Sequence, residues 1–155
     1  MVSRLPLLVQ VFRQPEIVMT FTLADWDLLL RQAQGADIVP KLWYLLDGEE
    51  ILETVPAPVM VHLESGRILA EWHKRFVSWE VNRICHALKG REIPVILLKG
   101  AAYMLSEMPF AKGRVFSDID LLVERSKLER AEKTLFFHGW LATHLDEYDQ
   151  RYYRQ

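Results

Sequence analysis

The sequence has little that would tie it to a membrane, an oxidising compartment or a long nucleic acid. Its single cysteine, Cys85, cannot form an internal disulfide. No apolar run approaches the roughly 20 residues that span a bilayer, and no signal-peptide pattern opens the chain. Lys and Arg number 19 against 21 Asp and Glu, a balance without the excess of positive charge that binds long nucleic acids. We therefore expect a cytoplasmic protein that does not enter membranes.

The hydrophobic residues, half of the 155, are enough to bury one real core in one or two small domains. Apolar residues at helical spacing predict two short helices within residues 22–47, interrupted at Gly35. The prolines of "VPAPV" mark a connector, and a long helix is predicted from Leu63 to about Leu88. These patterns predict an N-terminal helical region at residues 1–62 and a second unit at residues 63–155.

Two faces of the long helix carry apolar residues, and we assign both to its buried surface. Packing is therefore a better explanation than base stacking for its tryptophans. The first set comprises Leu69, Trp72, Phe76 and Trp79, and the second comprises Val77, Val81, Ile84 and Leu88.

The second half of the chain alternates predicted strands and helices. "IPVILL" at residues 93–98 and "FSDIDLLV" at 116–123 are predicted as strands, separated by a helix near residues 101–107. A capping box formed by Ser126 and Glu129 would begin the next helix, and "WLATHL" at 140–145 is a candidate third strand. The predicted class is α+β, with helices packed on a small mixed β-sheet and an N-terminal helical region before it.

The pair Asp118 and Asp120 interrupts the apolar text of the second predicted strand. Residues two apart on a strand point to the same face, about 6.5 Å apart along the chain, whereas Ile119 would face the core. Two close carboxylates repel each other unless a cation lies between them, and Mg²⁺ or Mn²⁺ suits oxygen ligands. Asp-x-Asp is also common by chance and could simply end a strand.

A second feature upstream supports the metal hypothesis. A strand that ends at Lys99 and Gly100 and is followed at once by a helix directs backbone N–H groups towards an anion such as phosphate. Arg114 and Ser117, just before the aspartates, could add a guanidinium and a hydroxyl. The combination of this turn with Asp118 and Asp120 is what indicates a nucleotide site.

The text "LLKGAAY" followed by "RVFSDIDLLV" resembles the signature of the nucleotidyltransferase superfamily typified by DNA polymerase beta. It is most similar to a bacterial nucleotidyltransferase family that carries the same Lys-Gly turn, and the resemblance extends from about Leu23 to Trp140. It implies transfer of a nucleoside monophosphate from a nucleoside triphosphate to a small-molecule or protein acceptor. Asp118 and Asp120 would be the catalytic metal ligands, and Gly100 with its neighbours Lys99 and Ala101 would hold the triphosphate.

Two departures from the superfamily pattern keep a non-catalytic alternative open. Ala101 follows the glycine where the superfamily often has serine or a second glycine, and no later residue clearly supplies the third carboxylate that the superfamily uses as a base. An acidic cluster near the end, Asp146, Glu147 and Asp149, is typical of a solvated face. We expect the third carboxylate of the superfamily pattern to lie in a further C-terminal part of a longer protein. A nucleotide-binding or protein-interaction module with the same fold is the second hypothesis.

The remaining candidates for chemistry have simpler explanations. The five histidines show no zinc-type spacing, so ordinary surface or core histidines are expected. Cys85 and His86 are adjacent on a predicted helix and point about 100° apart, so they do not form a nucleophile and base pair.

Overall fold

The computed structural model describes residues 5–141 of the chain. Six α-helices and two β-strands follow one another in the order α1, α2, α3, α4, β1, α5, β2, α6 within those residues. Their bounds are α1 Leu7–Arg13, α2 Leu23–Gly35, α3 Val39–Gly48, α4 Ala57–Lys89, β1 Val95–Leu97, α5 Lys99–Leu105, β2 Leu121–Val123 and α6 Leu128–Phe137. The fold is α+β, as predicted: mostly helical, with a small sheet and an N-terminal helical region.

The N-terminal helices enclose the first core. Thr22 and Asp25 begin α2 with a reciprocal capping box in which each side chain binds the other residue's backbone N–H. Helix α3 begins beside Pro40, whose fixed φ suits the first turn. The two predicted helices between residues 22 and 47 are confirmed. Their buried residues pack with α1 and the first turns of α4, and the largest fully buried side chains there are Trp26, Leu29, Leu42, Leu46, Ile51 and Leu63.

Helix α4 is the longest element, and it contributes to every core. It has 33 residues, about 50 Å of helix, and begins after Pro56, six residues earlier than predicted. Val59 and Leu63 complete the first core. Further along, α4 packs on α5 in a second core and on β2 and α6 in a third. The division of the chain at residues 62 and 63 stays a prediction, and α4 runs through it.

Only one of the two apolar faces of α4 is buried. Val77, Val81, Ile84 and Leu88 are buried as predicted, whereas Leu69, Trp72, Phe76 and Trp79 are exposed by 52, 61, 44 and 55%. The prediction that the first set packs in the core is therefore wrong. The other elements pack on the side of α4 that carries the valines, and nothing in the described residues covers its aromatic side fully.

The sheet consists of two antiparallel strands in the described residues, and whether it is mixed stays a prediction because that depends on the third strand. Val95 pairs with Val123 and Leu97 with Leu121. These four side chains are half-buried against the cores, whereas Ile96 and Leu122 face outward. Trp140 and Leu141 are not in a strand, and the rest of the predicted third strand lies outside the described residues.

Helix α6 begins differently from the sequence prediction. A short 3-10 turn, Arg125–Lys127, precedes it, and Lys127 is its N-cap without a side-chain capping bond. Ser126 donates its hydroxyl to Glu124 rather than capping the helix, so the predicted capping box is wrong. Across residues 5–141, no helix is both long and apolar enough to cross a membrane.

Candidate functional site

The segment that leads to the aspartates is docked on helix α3 through a glycine. Gly113 has φ of +70°, in the left-handed region that side chains disfavour. A Cβ atom at this position would lie 2.8 Å from the Cα atom of Lys41 and from the carbonyl carbon of Pro40. Lys41 Nζ also donates to the Phe110 carbonyl at 3.0 Å. The segment therefore has a fixed starting point on the N-terminal helices.

His73 of α4 holds the next part of this segment. The Phe116 N–H donates to His73 Nε2 at 3.4 Å, and the two rings meet edge to face with centroids 4.7 Å apart. This bond requires a ring nitrogen without a proton. Burial lowers the pKa of the His73 imidazole, which favours the same neutral state.

Phe116 in turn covers the start of helix α5. A Cβ atom built on Gly100 would lie 2.9 Å from two ring atoms of Phe116, so only glycine lets the ring pack there. Gly100 and Ala101 are both buried. His73, Phe116 and Gly100 thus form a stack that connects α4, the pre-strand segment and the turn that was predicted to bind phosphate.

Asp118 and Asp120 both precede strand β2, which begins at Leu121. The prediction that they lie on the strand is wrong, although one ladder-like bond, from the Leu98 N–H to the Asp120 carbonyl at 3.0 Å, extends the pairing to Asp120. Ile119 packs between the second and third cores, as predicted. Pairing ends here because Leu98 caps α5 and β1 cannot continue.

Lys99 directs its ammonium group to the second aspartate. Strand β1 ends one residue before Leu98 and α5 begins at Lys99, so the predicted strand-to-helix turn is present. Lys99 has φ of +47°, an uncommon conformation for a residue with a side chain. Its Nζ lies 2.9 Å from Asp120 Oδ1. The pair compensates the charge of one carboxylate, and Lys99 is exposed to solvent.

The other residues predicted to bind phosphate are not gathered in one cleft. Arg114 lines a cleft of about 320 Å³ together with Lys74 and Glu107. Ser117 lines two different clefts, one of them beside Asp118. Gly100 and Ala101 lie below Phe116 and line none of these three. Ser117 and Asp118 therefore line one cleft together, whereas Arg114 lines a different one.

The cleft beside Asp118 has a volume of about 500 Å³, within the usual range for small-molecule sites. Ser117 and Asp118 give it a polar end, and Trp72 and Phe76 of α4 contribute aromatic walls. Glu80 of α4 also lines it and accepts a hydrogen bond from the Trp140 indole. Asp120 does not line this cleft. The sequence prediction missed His73 and the aromatic pair as site residues. A signal for His73 was present, because it lies four residues before Val77 on the buried stripe of α4.

The two carboxylates, Asp118 and Asp120, supply some of the oxygen ligands that a hard divalent cation needs. Mg²⁺ is commonly held by one or two carboxylates, with waters and substrate phosphates completing the shell, and Asp118 with Asp120 could supply that number. Asp118 is exposed, and Asp120 is half-buried and paired with Lys99. Among residues 5–141, no group of three or more His, Cys, Asp or Glu side chains could hold a metal ion. The carboxylates Asp146, Glu147 and Asp149 lie outside that range.

A comparison with models of protein families shows which family the chain belongs to. The family model described as "Uncharacterised nucleotidyltransferase" matches residues 22–155. The chain belongs to this family. The match starts at Thr22, the capping residue of α2, so it covers α2 and α3 as well as the two aspartates, whereas α1 lies outside it. No curated protein and no solved structure matches the chain.

Proposed function

We propose that this member of the nucleotidyltransferase family transfers a nucleoside monophosphate from a nucleoside triphosphate to a small-molecule or protein acceptor. The observation that carries the proposal is the position of Asp118, exposed at the polar end of a ligand-sized cleft within a chain of this family. In such a transfer, the acceptor hydroxyl loses its proton to a base or to solvent and its oxygen bonds to the α-phosphorus, while the bond from the α-phosphorus to the bridging oxygen breaks and pyrophosphate leaves. The superfamily relationship to DNA polymerase beta and a bacterial origin belong to the same proposal.

The roles of the charged residues follow from their positions. Asp118 and Asp120 would hold Mg²⁺ or Mn²⁺, which would neutralise charge on the phosphates when bound. Lys99 lies beside Asp120 and is accessible, so its ammonium group could move from the carboxylate to a phosphate. Gly100 and Ala101 could contact the triphosphate only after the Phe116 ring shifts. Arg114 would require a rearrangement of its segment.

The near-neutral charge favours a small molecule or a protein as acceptor over a long nucleic acid. We place this function in the cytoplasm, in keeping with a chain that has one cysteine and cannot form an internal disulfide.

Nucleotide-dependent stabilisation tests the site. Thermal unfolding is followed with ATP, CTP, GTP or UTP, each with and without Mg²⁺. We expect at least one nucleotide to raise the unfolding midpoint only when Mg²⁺ is present. The double variant Asp118→Asn/Asp120→Asn should lose this rise. Asp27→Asn, which removes an exposed carboxylate paired with Arg31, is the matched control and should keep it. An equal rise in the double variant would contradict the site.

A non-catalytic nucleotide-binding module is the second candidate. The specific observation in its favour is the set of two aspartates without a third metal-ligating group in the described residues, one of them paired with Lys99. The measurement that separates the two candidates is release of pyrophosphate from a bound nucleoside triphosphate. Metal-dependent binding with release accelerated by the wild-type chain and not by the double variant supports the transferase. Binding without release supports the module.

A further inference from the structure

The exposed aromatic side of helix α4 continues into the cleft of Asp118. Trp72 and Phe76 stack on each other with ring centroids 5.6 Å apart and an angle of 10° between their planes. They are 61 and 44% exposed, although both line the cleft. Exposed apolar patches of this kind on a single chain usually mark a binding surface.

The arrangement of the cleft favours a ligand with two chemically different parts. Its polar end consists of Ser117 and Asp118, and its apolar wall contains the two stacked rings; Glu80 also lines the cleft, with its carboxylate bound by the Trp140 indole and by Arg83. Because Asp118 and Glu80 are both acidic, an anionic phosphate chain is complementary to the polar end only when it carries a cation such as Mg²⁺. A flat aromatic group joined to metal-bound phosphates is then complementary to both parts of the cleft, since aromatic faces gain from stacking on each other. A nucleoside triphosphate with Mg²⁺ has this composition.

We infer that Trp72 and Phe76 form the stacking platform for the nucleobase of the substrate. This inference rests on the proposed function and adds the part of the site that recognises the base. Stacking tolerates any base because every base has a π-face, so the platform binds bases without choosing strongly among them. Selection of one base would have to come from polar groups at the edge of the cleft, such as Ser117.

Trp79 provides a matched control on the same helix. It is exposed by 55%, close to the value for Trp72, but it does not line the cleft. Its indole instead lies under the Arg83 guanidinium, 4.7 Å from the ring centroid. Trp72→Ala and Trp79→Ala therefore remove the same group from neighbouring exposed positions. Only Trp72 lines the cleft, whereas Trp79 reaches the platform through Phe76, with ring centroids 6.2 Å apart.

The test compares a ligand that has a base with one that lacks it. Affinities of the full chain for the four Mg²⁺-nucleoside triphosphates and for Mg²⁺-tripolyphosphate are measured by calorimetry. We expect Trp72→Ala to weaken nucleotide binding by roughly 5- to 150-fold, the range for loss of one stacking contact, and to leave tripolyphosphate binding unchanged. Trp72→Phe should restore most of the affinity. Trp79→Ala should weaken nucleotide binding far less than Trp72→Ala, because it removes a neighbour of Phe76 and no part of the cleft lining.

The possible outcomes separate this inference from the proposed function. Equal nucleotide affinity in Trp72→Ala and the wild type, with binding still lost in Asp118→Asn, overturns the platform and leaves the function standing. Nucleotide binding that depends on Trp72 but not on Asp118 or Mg²⁺ supports the platform and contradicts the metal site. No binding of either ligand by the wild type overturns both.

Fluorescence gives an independent reading of what covers Trp72. The fluorescence of Trp72 is obtained as the difference in emission between the wild type and Trp72→Phe. We expect it to be quenched by acrylamide in the free protein and protected when nucleotide is added. A contribution that acrylamide does not reach, and that nucleotide does not change, means that another part of the chain or a second copy covers the platform, which overturns the inference.

Discussion

His73 is the polar side chain through which α4 contacts the segment before the aspartates. Its neutral ring accepts a hydrogen bond from the Phe116 N–H and meets the Phe116 ring edge to face, and that ring covers Gly100. A change at any of these three residues therefore acts on Asp118, two residues beyond Phe116, without touching it.

The stability of the protein should depend on pH through His73. Burial lowers the pKa of His73 below the ordinary value of 6.5 that applies in the unfolded chain. Between these two pKa values the unfolded chain binds a proton that the folded protein does not, so stability falls as pH decreases. We expect the His73 contribution to be complete above about pH 7 and to fall as pH drops through 6.5 towards the folded pKa.

Urea unfolding at pH 7.5, 6.5 and 5.5 measures this contribution. His73→Phe should reduce the pH slope, and it should cost about 1 kcal/mol at pH 7.5 because the Phe116 N–H loses its acceptor. His62→Gln, which replaces an exposed histidine, is the control and should keep the wild-type slope. A wild-type slope in His73→Phe would show that other groups cause the pH dependence.

Gly100 should not tolerate a methyl group. Gly100→Ala places its Cβ atom 2.9 Å from the Phe116 ring, so the ring must move, at a cost of about 1–3 kcal/mol in the free energy of unfolding. Gly35→Ala is the matched control: nothing lies within 4 Å of its Cβ position at the end of α2, and alanine favours helix by about 0.5–1 kcal/mol. Chemical denaturation measures both. Equal effects would argue against the close packing of Phe116 on Gly100.

At the scale of elements, the site is a junction between α3, α4, α5 and the segment before β2. Gly66 of α4 lets α3 approach closely, since a Cβ atom there would lie 2.9 Å from the Val39 side chain. Gly113 does the same from the other side, against Pro40 and Lys41. The start of α3 is held between two glycines, and this contact fixes where the segment towards Asp118 begins.

Gly113→Ala should disrupt this docking. The substitution carries both the cost of a positive φ, about 1–2 kcal/mol, and a clash 2.8 Å from the backbone of Lys41. Gly139→Ala carries only the first cost, because its φ is +98° and nothing lies within 4 Å. We expect Gly113→Ala to destabilise the chain by at least 1 kcal/mol more than Gly139→Ala in chemical denaturation. Equal losses would mean that the segment is not docked on α3.

At the scale of the whole molecule, α4 joins the N-terminal core to the cores around the aspartates. Leu63 belongs to the first core and is fully buried, whereas Val77 and Ile84, further along the same helix, belong to the second and third. A continuous helix transmits loss of packing from one end to the other. The predicted division at residues 62 and 63 therefore has a measurable consequence.

We expect the described part of the chain to unfold in one cooperative step. Leu63→Ala should lower the free energy of unfolding by about 2–5 kcal/mol, and it should reduce amide-exchange protection in β1 and β2 as well as in α2. Val61→Ala, at an exposed position two residues earlier, should change stability by less than about 0.5 kcal/mol. Protection that falls only in the N-terminal helices would show two separate folding units.

Much of this architecture was predictable because it depends on local signals. The helices between residues 22 and 47 follow from apolar spacing, and the end of α4 at Lys89 and Gly90 follows from a basic residue and a glycine. The strand-to-helix turn at Lys99 was predictable because a run of β-branched residues stands next to a glycine. Boundaries were less certain: Pro56 and Pro58 suggested a connector, yet α4 begins between them because proline is compatible with the first helical turn.

The positions of the site residues depended on contacts distant in sequence. Asp118 lies beside Trp72 because Phe116 is held by His73, 43 residues away along the chain. Arg114 lies elsewhere because Gly113 docks on Lys41. The short antiparallel pairing also ends at Asp120 and does not include Asp118, since β1 gives way to α5 at Leu98. The local sequence around the aspartates does not indicate this.

Local sequence signals were sufficient for the helices between residues 22 and 47, for most of α4, for the Asp118 and Asp120 pair and for the family pattern that matches residues 22–155, but they did not predict α1. The tertiary structure alone decided which side of α4 is buried. Both sides are apolar enough to pack, so helical periodicity is satisfied by either, and the choice depends on which face the distant strands and α5 contact. Because they contact the side of Val77 and Val81, Trp72 and Phe76 are left at the surface, beside the carboxylate of Asp118.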